Sequence, residues 1–219
     1  KLPGVDVAQA VRDPELIAQM NAANGVFFTG GAQERIVDAL QPGGHPTPLL
    51  EAIRGVLDRG GVVAGTSAGA AVMSHVMFRD APDLLAVMKG TLRDGKEVDR
   101  GLGFAVPGLF VDQHFLRRGR LGRMLPMMQS RGLETGLGVE ENSAAILRGH
   151  EVEIVGEGGA LFVDLRDAAS DPKRGAFNLS GVRLTFLGDG DRLDVRTRAL
   201  TPSAAKLAGT RIDPRAAGF

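Results

Sequence analysis

The sequence predicts an α/β protein: a three-layer, open, mostly parallel sheet with helices on both faces and antiparallel hairpins toward the C-terminus. Three observations predict it. Short apolar runs at 26–29 and 62–64 each follow a helix-like stretch and end in a glycine-rich turn, the pattern of parallel strands joined by right-handed crossovers. The segment Gly65-Thr66-Ser67-Ala68-Gly69 lies between the second run and an alanine-rich continuation. From residue 136 onward the apolar runs are short and separated by glycines, which is hairpin spacing.

Taken in order, Asp13 is placed to cap a helix, with Pro14 at its first position and Glu15 complementing the dipole. Leu16, Ile17 and Met20 form its apolar stripe, and Gly25 ends it. The run 26–29 reads as a buried strand. A short helix is expected over 34–40, a Pro/Gly loop over 41–48, and a second amphipathic helix over 49–57 with Leu49, Ile53, Val56 and Leu57 inward. Gly60-Gly61 turns the chain into the strand 62–64, and 70–73 continues the following helix. The stretch 78–98 is mixed and polar, a loop with one short helix. A strand over 104–111 ends at Asp112-Gln113-His114, and 116–128 is a strongly basic helix. Strands follow at 137–139, 144–147, 152–155 and 160–163. The runs 182–186 and 192–197, joined by Gly188-Asp189-Gly190, predict a further hairpin. No repeat or boundary interrupts the chain, so 1–219 is expected to form a single α/β domain.

Composition narrows the function. Lys plus Arg and Asp plus Glu balance at 26 each, so net charge directs the chain to neither nucleic acid nor an anionic membrane. With no cysteine, disulfides and thiolate metal sites are excluded, while the compartment stays open. No apolar run approaches the roughly 20 residues that span a bilayer. No metal cluster or nucleotide fingerprint is present, and neither metal nor cofactor is expected.

The chemistry centres on Ser67. Small-x-Ser-x-small between a strand and a helix is a nucleophile elbow: the tight turn strains the serine backbone, and small residues at 65 and 69 let strand and helix approach. The hydroxyl then projects above the strand end, and the Ala68 N–H points to where an oxyanion would form. A serine needs a base, and the chain has four histidines. His45 lies in the Pro/Gly loop and His150 in a hairpin turn. His75 is about two helical turns past Ser67, roughly 12 Å away at 1.5 Å per residue. His114 follows a strand at its carboxyl end, where open α/β sheets place their sites, and by elimination it is the base. The acid is open. Asp112 is adjacent but strand alternation points it away; Glu140, Glu141, Asp80, Asp83 and Glu97 qualify, and Glu141 is taken forward. Arg117, Arg118, Arg120 and Arg123 form either a solvated basic face or carboxylate-binding forks, and the residues alone divide evenly between the two.

Four blocks carry a resemblance: Thr29-Gly30-Gly31-Ala32-Gln33, the stretch from Gly65 through Met73, Asp112-Gln113-His114-Phe115 with its trailing arginines, and Gly138-Val139-Glu140-Glu141-Asn142. In this order, over roughly 13–200, the chain resembles the cyanophycinase-like serine peptidases, which share a family with the aspartyl dipeptidases. The resemblance implies a fold related to class I glutamine amidotransferases and hydrolysis of β-aspartyl linkages. Its first substrate would be cyanophycin, a poly-aspartate backbone with arginine on each side-chain carboxylate, released as β-Asp-Arg. An isoaspartyl or aspartyl dipeptidase, or a non-catalytic relative, is the alternative. It further implies attack by Ser67, proton transfer by His114, and an oxyanion held by Ala68 with Gly30 or Gly31. A substrate pocket of Gln33, Asp112, Gln113, Arg118, Arg120 and Arg123 follows, as does a homodimer. Two departures accompany it. The family's acid is sought as a glutamate after the elbow helix, where this chain has none before Glu97. The family's strand upstream of Asp13 is expected to be lacking here, and location stays open.

Overall fold

The computed structural model describes residues 5–79 and 83–209. Along the chain run α1 (Val7–Ala10), α2 (Pro14–Ala22), β1 (Gly25–Phe28), α3 (Gln33–Leu40), α4 (Pro48–Asp58), β2 (Val62–Gly65) and α5 (Ala68–Ala71). Then come β3 (Val76–Phe78), α6 (Leu84–Met88), β4 (Val98–Arg100), β5 (Leu109–Gln113), α7 (Leu121–Arg131) and β6 (Thr135–Val139). The remainder is β7 (Ser143–Arg148), β8 (Glu151–Gly156), β9 (Ala160–Asp164), β10 (Arg183–Leu187), β11 (Arg192–Asp194), β12 (Leu200–Thr201) and α8 (Ala204–Ala208).

Local chemistry sets the early boundaries. The Asp13 carboxylate accepts from the Glu15 and Leu16 N–H groups with Pro14 at the first position of α2, and the Thr47 hydroxyl accepts from Leu50 N–H ahead of Pro48 in α4. Leu50 and Ile53 of α4 bury against Val37 and Leu40 of α3, Val72 and Met77. A second cluster packs Met124, Met127 and Met128 of α7 on Phe110, Phe115, Leu161 and Val163. A third lies between the two larger sheets, joining Leu109, Val111, Leu137 and Phe162 to Val152, Ile154 and Leu193.

The α/β class stands, with open sheets, but among the strands of the described residues parallel pairing is confined to two pairs. β1 lies parallel to β2, Phe28 opposite Gly65, and β5 lies parallel to β6, Gln113 opposite Val139. The other six pairings among the described residues are antiparallel. The reason is connection length. A parallel pair needs a crossover of about a dozen residues or more, and the helical links through α3–α4 and through α7 are long enough to supply one. Beyond β6 the strands are joined by turns of a few residues, except for the 165–182 link between the antiparallel β9 and β10, and the sheets β10-β9-β6-β5 and β12-β11-β8-β7 follow.

Three further expectations are corrected. The runs 182–186 and 192–197 are not a hairpin: β10 pairs with β9, whereas β11 pairs with β8 and β12. The turn between them is anchored elsewhere. Gly190 N–H donates to the Ile154 carbonyl at 2.8 Å and Ile154 N–H to the Asp191 carbonyl at 2.9 Å, so the chain changes sheets. The helix after the elbow is only four residues long. It gives way to a turn whose buried Ser74 hydroxyl accepts from Val111 N–H at 2.6 Å, so His75 is not two helical turns from Ser67. The basic helix starts at Leu121 rather than 116, leaving Arg117 and Arg118 in the preceding turn. No helix among the described residues is long and apolar enough to cross a membrane.

Asp191 holds this sheet change together. Its side chain is 1% exposed and accepts from Gly188 N–H at 2.7 Å and Ser203 N–H at 2.9 Å, with Lys206 as its ion-pair partner. Burial pushes the carboxyl up, but Lys206 and the two N–H groups outweigh it, and the group lies below its ordinary value. A lowered folded-state value contributes stability that is present above the ordinary carboxylate range and lost as pH falls through the folded value. Asp191→Ala should therefore cost about 2–3 kcal/mol at neutral pH and flatten the acid limb of a stability–pH curve below about pH 4. Urea titrations from pH 2 to 7 read both.

Candidate active site

Three strand ends meet at the site. β2 leads into Ser67, β5 into His114 and β6 into Glu140 and Glu141, each at the carboxyl end of a parallel strand. The β5–β6 register, with Gln113 opposite Val139, brings the residues that follow them side by side.

Ser67 sits at φ 52° and ψ −115°, outside the regions open to ordinary L-residues. The crossing of strand and helix imposes this. A methyl group at Gly65 would overlap the Gly69 carbonyl, and one at Gly69 would overlap the Phe28 carbonyl. His114 (φ 48°) and Asn142 (φ 56°) share the left-handed region. Three of the four such non-glycine residues among the described residues thus gather at one place, where strain of this kind marks function.

The side chains form a line. His114 Nε2 lies 3.0 Å from Ser67 Oγ, and His114 Nδ1 lies 2.8 Å from Glu141 Oε1. Arg117 Nε is 3.2 Å from Glu141 Oε2. With Nδ1 protonated, His114 donates to Glu141 and its Nε2 lone pair faces the serine hydroxyl. Such a line removes the proton from a serine while its charge is shared with a carboxylate. None of the hydrogen bonds among the described residues uses the N–H groups of Ala68, Gly30 or Gly31. Gly30 is also close to the serine, since a methyl there would stand 3.3 Å from Ser67 Cβ.

Of the acids weighed, Glu141 meets His114. Asp83 instead caps α6 through Leu85 and Ala86 N–H, and Glu97 pairs with Arg93, which helps lower it to about 2. Asp80 lies outside the described residues. His45, His75 and His150 are exposed.

The expected substrate pocket divides. Asp112 is 1% exposed and turned from the cleft; its oxygens accept from Arg123 Nε at 2.7 Å and Nη2 at 2.5 Å, and from Arg120 Nη1 at 3.2 Å. Arg123 also stacks 4.6 Å above the Phe78 ring. Arg120 donates to the Gln113 carbonyl at 2.8 Å; burial and then the neighbouring Arg123 push it below its ordinary value. The Gln33 amide donates to the Phe78 carbonyl at 2.8 Å. These four groups are engaged with the protein itself. Gln113 and Arg118 differ: Arg118 is exposed, and Gln113 lines the cleft with its buried Oε1 unpaired.

The cleft has a volume of about 420 Å³ and runs from Ser67 and His114 between β2 and β7. Val62, Ala64, Met73, Leu137 and Leu147 make its wall largely apolar. No cluster of His, Cys, Asp or Glu among the described residues is arranged to hold a metal ion.

Sequence reasoning missed the Arg117–Glu141 pair, because a helix over 116–128 put Arg117 on the wrong surface. Among the acids weighed it puts Glu141 forward, though no local signal separates that residue from the adjacent Glu140.

A strained serine at a strand–helix elbow, facing an imidazole and a carboxylate at the carboxyl ends of parallel strands, defines the class of α/β serine hydrolases. More narrowly, the chain belongs to peptidase family S51, whose family model matches residues 5–155. It is 32% identical over 200 residues to the cyanophycinase of Trichormus variabilis, covering 87% of this chain and 63% of that protein. It is also 32% identical over 197 residues to the cyanophycinase of Geminocystis herdmanii, covering 84% and 67%. The chain thus spans under two thirds of the length of the first of these relatives. The crystal structure of a peptidase from an acI-B1 Actinobacterium shares the fold with a TM-score of 0.61 at 20% identity, over 85% of this chain and 66% of that one.

Proposed function

We propose that this chain carries the catalytic centre of a serine exopeptidase that hydrolyses β-aspartyl linkages, with cyanophycin as polymer and β-Asp-Arg as product. The observation that carries the reading is the Ser67–His114–Glu141 line, at 3.0 and 2.8 Å, in a chain related to cyanophycinases.

The steps balance within these residues. Ser67 Oγ attacks the β-aspartyl carbonyl carbon as its proton passes to His114 Nε2. The oxyanion is received by the N–H of Ala68 and of Gly30 or Gly31. His114 then protonates the departing amine and the C–N bond breaks, leaving an ester on Ser67. Water, deprotonated by His114, cleaves the ester and restores the serine. Glu141 holds the imidazole tautomer and shares its positive charge. The exposed Arg118, in the turn that follows His114, supplies a fork for a substrate carboxylate, and the unpaired Gln113 Oε1 an acceptor for a substrate N–H or guanidinium.

The apolar cleft wall supports a second reading, a dipeptidase acting on short β-aspartyl peptides with an apolar partner residue. Insoluble cyanophycin, β-Asp-Arg, β-Asp-Leu and Asp-Leu presented in parallel separate the two. Dipeptide released from polymer is the expected result. Cleavage of β-Asp-Leu alone moves the assignment to the dipeptidase, and cleavage of none overturns both.

A further inference from the structure

Glu140 precedes the residue that meets His114, yet its own carboxylate faces main chain. Oε2 accepts from Leu116 N–H at 2.6 Å and from Arg117 N–H at 3.0 Å. Oε1 accepts from Glu141 N–H at 2.8 Å. The first two donors belong to the turn immediately after His114, and the third to Glu141 itself. One carboxylate therefore bridges the segment delivering the imidazole and the segment delivering its acid.

Other contacts leave little slack except at this bridge. Phe115 is fully buried against Gly138, where any side chain would strike its ring. Glu140 N–H donates to the Gly159 carbonyl at 3.1 Å. Any side chain on Gly158 would overlap the Glu141 carbonyl. Between these anchors His114 holds φ 48°, a conformation that persists only when its surroundings over-determine it. Burial pushes the Glu140 carboxyl up, but the backbone donors outweigh it and the group lies below its ordinary value. It is therefore an anion at neutral pH, the form able to accept from all three N–H groups.

We infer that Glu140 is a positioning residue for the serine centre: its carboxylate ties the His114 turn to the Glu141 strand end and holds base and acid at bonding distance. It touches none of the reacting atoms. A glutamine there keeps the size but offers one acceptor oxygen in place of two. Its amide then confronts either the Leu116–Arg117 pair or Glu141 N–H donor to donor.

This inference rests on the catalytic reading of Ser67 and His114, so its test uses a reagent independent of the natural substrate. A fluorophosphonate phosphonylates an activated serine: the Ser67 O–P bond forms, P–F breaks, and fluoride leaves as the serine proton passes to His114. If wild type is labelled no faster than Ser67→Ala, the catalytic reading fails and this inference with it.

Where wild type is labelled, Glu140→Gln should react roughly 10–100-fold more slowly, the scale of a small misplacement of catalytic groups. Amide exchange at Leu116, Arg117 and Glu141 should accelerate, with exchange across β8 unchanged. On a cleaved peptide kcat should fall by the same factor with KM within twofold. Labelling within twofold of wild type, or a lowered melting temperature with unchanged labelling, overturns the inference. Should the glutamine variant not fold, Glu140→Asp decides: it keeps the charge on a shorter stem, should show a smaller loss in the same direction, and overturns the inference if it labels at the wild-type rate.

Discussion

Ser67→Ala should abolish turnover, lowering kcat by roughly 10³–10⁶-fold with the chain still folded. The size follows from acyl transfer: without Oγ no ester forms, and His114 and the oxyanion N–H groups can only assist direct attack by water. The fold should survive because the hydroxyl's side-chain contact is the 3.0 Å bond to His114, whose other nitrogen keeps Glu141. Alanine bears the φ 52° strain as serine does, so the melting temperature should stay within about 2 °C. Turnover of a β-aspartyl peptide alongside thermal melting reads both. Near-full activity in a correctly folded Ser67→Ala protein would falsify the serine mechanism.

Asp112→Ala should produce the largest loss of stability, about 3–5 kcal/mol. Asp112 is 1% and Arg123 7% exposed, with two bonds between them at 2.7 and 2.5 Å. Removing the carboxylate strands a buried guanidinium against the Phe78 ring. Arg120 loses a partner as well, though it keeps the Gln113 carbonyl. For a domain of this size the loss corresponds to about 10 °C in melting temperature. Urea titration of Asp112→Ala and Asp112→Asn gives the figure, with asparagine less damaging because it retains one acceptor. The resemblance put Asp112, Arg120 and Arg123 in the substrate pocket, and this prediction opposes that role. A variant that keeps its melting temperature and raises KM would return them to it.

The contrast between Ser67 and Asp112 shows what the sequence made legible. The elbow is local. Small residues at 65 and 69 and an apolar run before them require a tight strand–helix crossing, since any larger group would overlap a backbone carbonyl. Helix caps at Asp13 and Thr47 are local as well, as are the glycine-bounded strands. His114 emerged by elimination among four histidines, a step that needed its place after a strand. The arginines read differently because a helix drawn from 116 aligned Arg117 with Arg120 and Arg123. The chain first makes a turn through Gly119, and only two of these side chains reach Asp112.

Ser67 in its elbow, the α/β class and His114 as candidate base were therefore determined by sequence alone, because each depends on neighbours a few residues away. The sequence puts Glu141 forward among several acids, but only the tertiary structure brings its carboxylate, rather than that of Glu140, to His114. Adjacent residues leave a strand end in different directions, and which direction meets the imidazole depends on the register of β6 against β5. It likewise decided that Asp112 is occupied by Arg123 eleven positions away, and that 182–197 divides between two sheets. Those outcomes rest on long-range pairing, and spacing along a chain does not encode which distant group fills a buried hydrogen bond.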